Sequence, residues 1–200
     1  LCNKNKIVFI LDEMITGFRW DIKGAQNFYN IKPDLSTFGK AMANGFSVAA
    51  ICGRREIMEL GSITNKKQEK VFLLSTTHGA EMNGLSAFIE TVKYLKQKRV
   101  IKKNWKYGET LINGANKIAK KLNINNYFYF SGIACSPTYT CLNKNKKTSL
   151  EFRTLFIQEM LKNKILMPWV SISYRHNNLT LKKTLVGLER TLKVYKKALE

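Results

Sequence analysis

Residues 7–19 read IVFILDEMITGFR. Five apolar residues are followed at once by Asp12 and Glu13, and a run that short without alternation predicts a strand buried on both faces, as in parallel sheets. In doubly wound sheets the carboxyl ends of strands border the ligand crevice, so Asp12 is expected as a buried acid where chemistry occurs. Downstream, KPDLSTFGKAMANG occupies 32–45. Leu35 to Phe38 predicts a second strand that delivers Gly39 and Lys40. FSVAAICG, Phe46 to Gly53, predicts a third, bounded by turn signals at Asn44-Gly45 and Gly53, with a helix from Arg54 to about Leu60. VFLLSTTHGAE, 71–81, begins as a strand and breaks into a polar turn at Ser75.

From Met82 to about Lys98, the spacing of Leu85, Phe88, Ile89, Val92 and Leu95 predicts a helix with one buried stripe. A second helix is expected from Val100 to Leu122. YFYFSGIA and PTYTCL then predict two strands joined around Gly132 and Pro137. Ser149 is placed to cap a helix carrying Phe152, Leu155, Phe156 and Met160 on one face. Residues 165–174, ILMPWVSISY, predict a strand or extended segment interrupted by Pro168. The closing helix carries Leu181, Leu185, Leu188, Leu192 and Tyr195 at 4-3-4-3 spacing, leaving Lys182, Lys183, Lys193 and Lys196 for water. His176 is expected to help the turn into it. The organisation changes near residue 100.

Two hundred residues at 44% hydrophobic content suffice for a sizeable core. No apolar run approaches the roughly 20 residues that span a bilayer, which predicts a soluble protein with no membrane partner. The start, LCNKNKIVFILDE, lacks an initiator Met and the ordered regions of a signal peptide. It enters a strand almost immediately, so the expectation is the second half of a longer chain. Cys2, Cys52, Cys135 and Cys141 form no CxxC pair and do not group with His78 or His176. Neither a zinc site nor a disulfide framework is predicted, and a reducing cytoplasm is the expected compartment. A net charge of +20 can mark a nucleic-acid partner. Here the lysines sit among asparagines at element ends with few interleaved aromatics, which predicts a solvated basic exterior and no nucleic-acid partner.

Lys40 and Asp12 carry the chemistry. An amine and an acid at strand ends are what pyridoxal 5′-phosphate needs: a partner for its aldehyde and a counter-charge for its ring nitrogen. An apolar run ending in Asp-Glu also fits the metal-binding strand of a P-loop NTPase. That alternative requires an upstream GxxxxGK[ST] loop, and the only Gly-Lys pair, Gly39-Lys40, lies downstream and is followed by Ala41.

With DEMITGFR (Asp12 to Arg19), KPDLSTFGKAMANG (Lys32 to Gly45), GRREIME (Gly53 to Glu59) and LLSTTHGAE (Leu73 to Glu81) in order, the chain resembles the class III aminotransferases, most closely the glutamate-1-semialdehyde aminomutase-like branch. FRTLFIQEMLKNKILMPW, from Phe152, resembles that branch's small domain. The resemblance implies an α/β protein of the fold type I class of pyridoxal-phosphate-dependent transferases. Residues 1–100 would be part of the large mixed-sheet cofactor domain, and residues 101–200 the small C-terminal α+β domain.

The resemblance also implies roles. Lys40 would hold the cofactor aldehyde as a Schiff base and, once released, move the substrate proton. Asp12 would bind the protonated ring nitrogen. Met14 would lie against one ring face by dispersion, and Thr76 would reach the cofactor phosphate from the neighbouring subunit of a homodimer. Glu13 is expected to brace the Asp12 region, Arg19 to form a local salt bridge, and His78 to satisfy a turn near the phosphate site. Gly79-Ala80-Glu81 stands where many members carry Gly-Asn-Pro, and MPWVSISY stands where the aminomutases place a substrate-facing glutamate. The implied reaction moves an amino group between an amine donor and a keto or aldehyde acceptor. An intramolecular aminomutase and an inactive dimerising fragment remain the alternatives.

Overall fold

The computed structural model describes residues 1–62, 64 and 81–200. The chain divides into two compact units, Leu1–Ile101 and Lys102–Glu200.

The first unit holds a three-stranded sheet in the order β1 (Ile10–Asp12), β2 (Leu35–Phe38), β3 (Ala50–Gly53). β1 runs parallel to β2, with Asp12 opposite Thr37, and β2 runs antiparallel to β3, with Phe38 opposite Ala50. A short helix, α1 (Ala25–Phe28), lies on the connection from β1 to β2. The expected buried strand at 7–11 is corrected: only Ile10–Asp12 pairs, and Ile7, Val8 and Ile10 are 54%, 50% and 56% exposed. Among the described residues β1 is bonded on one side only, and an apolar run records the burial a sequence suits, not a neighbour. The third strand is also shorter than predicted. β2 ends at Phe38, its partner is Ala50, and residues 46–49 therefore have no ladder to join.

Gly53 is fixed by close packing, because a Cβ there would lie 2.1 Å from the carbonyl oxygen of Asp34. Asp34 itself ties the sheet together, accepting from the Phe9 amide at 2.8 Å and from Arg54 Nη1 at 2.9 Å. Those two donors, Phe9 first, hold its carboxyl below the usual carboxylate range. The predicted helix after Arg54 is a single turn, α2 (Arg55–Met58), followed by a 3-10 turn at Glu59–Gly61. α3 (Met82–Gln97) forms as expected, but its stripe is not a buried one. Gly84 is the only fully buried residue of the helix, Phe88 sets its ring edge-on to Phe18 at 5.9 Å, and Leu85 and Ile89 are exposed. The expected strand and turn from Val71 to Ala80 lie outside the described residues.

The second unit is built from α4 (Val100–Lys121), a hairpin of β4 (Phe128–Ile133) and β5 (Ser136–Cys141), α5 (Leu150–Lys162) and α6 (Asn178–Leu199). Leu111, Ala115, Phe128, Phe156, Met160, Leu188 and Leu192 form its core, with the Phe128 and Phe156 rings 4.9 Å apart. Asn116 fastens α4 to β4: its amide accepts from the Phe130 N–H at 2.8 Å and donates to the Phe130 carbonyl at 2.9 Å. The turn is at Ala134-Cys135, and Gly132 and Pro137 face each other inside the ladder rather than forming the bend. Pro137 has no N–H to donate and Gly132 takes φ +88°, which only glycine adopts without strain.

Ser149 accepts from the Phe152 amide and so caps α5. α6 opens with a capping box between Asn177 and Thr180. Leu188, Leu192 and Tyr195 are fully buried on its inner face, while Lys182, Lys183 and Lys193 are exposed and Lys196 is half-buried. The Tyr195 hydroxyl donates to the Leu142 carbonyl at 2.7 Å. Residues 165–174 form no strand. Side chains hold them instead: the Tyr139 hydroxyl lies 2.9 Å from the carbonyls of Met167 and Pro168, and Arg153 donates to Pro168 at 2.8 Å. His176 shapes the turn into α6, its Nδ1 accepting from the Ser173 amide at 3.0 Å while its ring stacks on Tyr107. No described helix is long and apolar enough to cross a membrane. Among the described residues there is no grouping of His, Cys, Asp and Glu able to hold a metal ion.

Candidate active site

β1 and β2 are adjacent and parallel, so their carboxyl ends open on the same side of the sheet. Asp12 is the last residue of β1. Lys40 follows the end of β2 by two residues, at the start of a 3-10 turn, Lys40–Met42. Strand direction thus places two residues 28 positions apart in the chain at the same end of the β1–β2 pair.

One oxygen of Asp12 is already engaged. Its Oδ1 accepts from the Met14 amide at 2.8 Å and from Thr37 Oγ1, on the paired strand, at 3.2 Å. No described residue occupies its other oxygen. Asp12 is exposed, which corrects the expectation of a buried acid: it ends a strand that, among the described residues, pairs on one side only. Lys40 is exposed too, and none of the described residues pairs with its amine. Its backbone is unusual, with φ +45°, in the left-handed region that costs a residue with a Cβ about 1–3 kcal/mol.

Met14 joins the two strand ends. A Cβ at Gly39 would lie 2.4 Å from the Met14 methyl carbon, so the thioether sits directly over the residue before Lys40. Glu13 is fully buried between these elements. Its carboxylate accepts from Ala25 N at 2.8 Å, from Gln26 N at 2.7 Å, and from the Thr16 hydroxyl. Fully buried and holding two backbone amides and a hydroxyl, Glu13 is placed as a structural carboxylate and does not suit the water-activating role of the NTPase alternative. Arg19 forms no ion pair with any described residue, and its Nε is buried without a hydrogen-bond partner; the expected local salt bridge is absent among the described residues because no carboxylate there reaches it. Thr76 and His78 lie outside the described residues.

Thr37 and the backbone of Met14 escaped sequence reasoning. Thr37 was legible in principle, since it stands opposite Asp12 once the parallel register is set. The Met14 amide carries no sequence signal.

Residues 1–133 match the class III aminotransferase family, and the chain belongs to that family. Over its full length it is 31% identical to a 3-aminobutyryl-CoA aminotransferase of Cloacimonas acidaminovorans (strain Evry), covering 47% of that protein. Over 62% of its length it is 40% identical to glutamate-1-semialdehyde 2,1-aminomutase 2 of Lachnoclostridium phytofermentans, covering 28% of it. The chain spans about half the length of the curated relatives it matches across its whole length. Among solved structures, a transaminase with PLP bound superposes with a TM-score of 0.86 at 17% identity, over 98% of this chain and 46% of that one. An omega-transaminase from Sphaerobacter thermophilus does so with a TM-score of 0.82 at 18% identity, over 97% and 46%. The fold is that of the fold type I transaminases, an α/β architecture with a mixed sheet.

Proposed function

We propose that this chain carries the Lys40 and Asp12 side of the cofactor site in a pyridoxal 5′-phosphate-dependent transaminase, which moves an amino group from an amine donor to a keto or aldehyde acceptor. The observation that carries this reading is the Asp12 carboxylate, held through Oδ1 by Met14 and Thr37, on the strand beside the one that delivers Lys40. The residues suit the group, since Asp12 keeps one oxygen without a described partner and Lys40 keeps its amine without one.

The chemistry that the cofactor supplies when bound is an aldehyde for the amine and a protonated ring that withdraws electrons. Asp12 would hold the proton at the ring nitrogen, and the charge-assisted bond would be strongest while its carboxylate is fixed in orientation. Lys40 Nζ would provide the covalent anchor for the cofactor aldehyde and, when free, would serve as the acid–base group for the substrate proton. Met14 contributes dispersion contact beside Lys40. Thr76 is the proposed phosphate contact from a second copy in a two-fold homodimer. The proposed setting is the cytoplasm, in keeping with cysteines spaced without a CxxC pair.

The likeness to an aminobutyryl-CoA aminotransferase over the whole chain favours a 3-amino acyl compound as the first donor to try. The 40% identity to an aminomutase over 125 residues favours a second reading, intramolecular amino transfer. Purified protein with cofactor and a single amine substrate separates them. Turnover that depends strictly on an added keto acid supports the transaminase, and isomerisation of one substrate without it supports the mutase. A chain that forms no visible absorbance band with the cofactor leaves the inactive dimerising fragment as the description.

A further inference from the structure

We propose that Glu13 is the positioning residue of the site: its buried carboxylate fixes the turn that orients Asp12. The inference rests on the reading of Asp12 as the ring-nitrogen partner. Glu13 itself touches neither cofactor nor substrate in this account.

Asp12 accepts from the amide two residues ahead, Met14, in an Asx turn. Whether that amide reaches Oδ1 depends on the backbone of the one residue between them. That residue is Glu13, and it is held at every polar point. Its N–H donates to the Thr37 carbonyl at 2.9 Å, and its carbonyl accepts from Gly17 at 2.8 Å. Its side chain turns inward to the start of α1 and to Thr16. A buried carboxylate is costly unless its lone pairs are met, and here two backbone amides and a hydroxyl meet them.

The surroundings are shaped for that carboxylate. A Cβ at Gly24 would lie 2.5 Å from its carboxyl carbon, and Gly24 has φ +85°, so both space and backbone require glycine there. The brace also reaches β2, because Gln26, whose amide donates to Glu13, accepts through its own side chain from Ser36 at 3.3 Å. Thr37, the other donor to Asp12, is the next residue along that strand. Both donors to Asp12, the Met14 amide and the Thr37 hydroxyl, therefore belong to residues whose backbone is joined to Glu13, Met14 by the peptide bond and Thr37 by the hydrogen bond from the Glu13 N–H.

The test is backbone amide exchange by NMR on the cofactor-free chain, comparing wild type with Glu13→Gln and Thr16→Val. Glu13→Gln turns one acceptor into a donor that faces donors, and Thr16→Val removes one of the three contacts while sparing the fold. Exchange at Met14 is expected to rise about ten-fold in Glu13→Gln, the equivalent of one hydrogen bond. It should rise less in Thr16→Val. Ladder amides of β2 and β3 should keep their rates, which separates loss of orientation from general loosening. If Glu13→Gln does not fold, Thr16→Val alone supplies the reading. Wild-type exchange at Met14 in every folded variant overturns the proposal. Cofactor affinity in Asp12→Ala tests the underlying reading separately: if it is unchanged while Glu13→Gln loosens Met14, the brace stands and the ring-partner role of Asp12 fails.

Discussion

Thr37 and Asp12 face each other across the parallel β1–β2 pair, and the Thr37 hydroxyl donates to Asp12 Oδ1 at 3.2 Å. The cross-strand bond makes β2 part of the acid's support, on the same strand that leads to Lys40. Replacing Thr37 with Val keeps the shape and removes the donor. The expected result is cofactor binding weakened roughly 2- to 10-fold, the range for one neutral-to-charged contact at a partly solvated position, with β2–β3 pairing intact. Equilibrium titration of the cofactor by absorbance checks it, and unchanged affinity contradicts it.

Lys40 holds a left-handed backbone conformation that favours glycine. At φ +45° a glycine is relaxed and an alanine is not. Lys40→Gly is therefore expected to be about 1 kcal/mol more stable than Lys40→Ala, although both lose the amine. Urea midpoints at equal slope measure the difference, and equal stability of the two variants counts against a strained lysine.

Acid should loosen the first unit at Asp34. Its folded pKa is depressed by the Phe9 amide and then by Arg54, so the tie is fully present above the ordinary value of 3.8 and is lost as pH falls through the lower folded value. The Phe9 amide resonance should move in that acid range in wild type and stay put in Asp34→Asn. A Phe9 resonance that ignores pH below 3.8 removes the role given to this carboxylate.

The four cysteines should differ sharply in reactivity. Burial pushes the Cys141 thiol up to about 12, and Cys135 is buried as well, whereas Cys52 is exposed. Thiol reagents at mild alkaline pH are expected to label Cys52 first and to reach Cys135 and Cys141 only after denaturation. Peptide mass spectrometry of the labelled chain reads the order.

Much of this arrangement was legible in the residues. The apolar run ending at Asp12, the Gly39-Lys40 step after a short strand, the Ser149 cap and the 4-3-4-3 face of α6 each rest on local chemistry, and local chemistry is what a sequence displays. What escaped was set by neighbours. The exposure of Ile7, Val8 and Ile10 goes with a strand that pairs on one side only among the described residues, and the shortened third strand with the length of its partner, neither of which a periodicity encodes. The hairpin turn was misplaced because Gly132 and Pro137 are turn formers that here oppose each other within the ladder. At the site, the donors to Asp12 depend on register and on a backbone amide, so no residue type announced them.

The central claim is that Lys40 bears the cofactor. Borohydride reduction of the chain with pyridoxal 5′-phosphate, followed by peptide mapping, tests it among 27 lysines. One dominant adduct is expected, on Lys40, lost in Lys40→Ala. An adduct scattered over the surface lysines, or fixed on a different one, contradicts it.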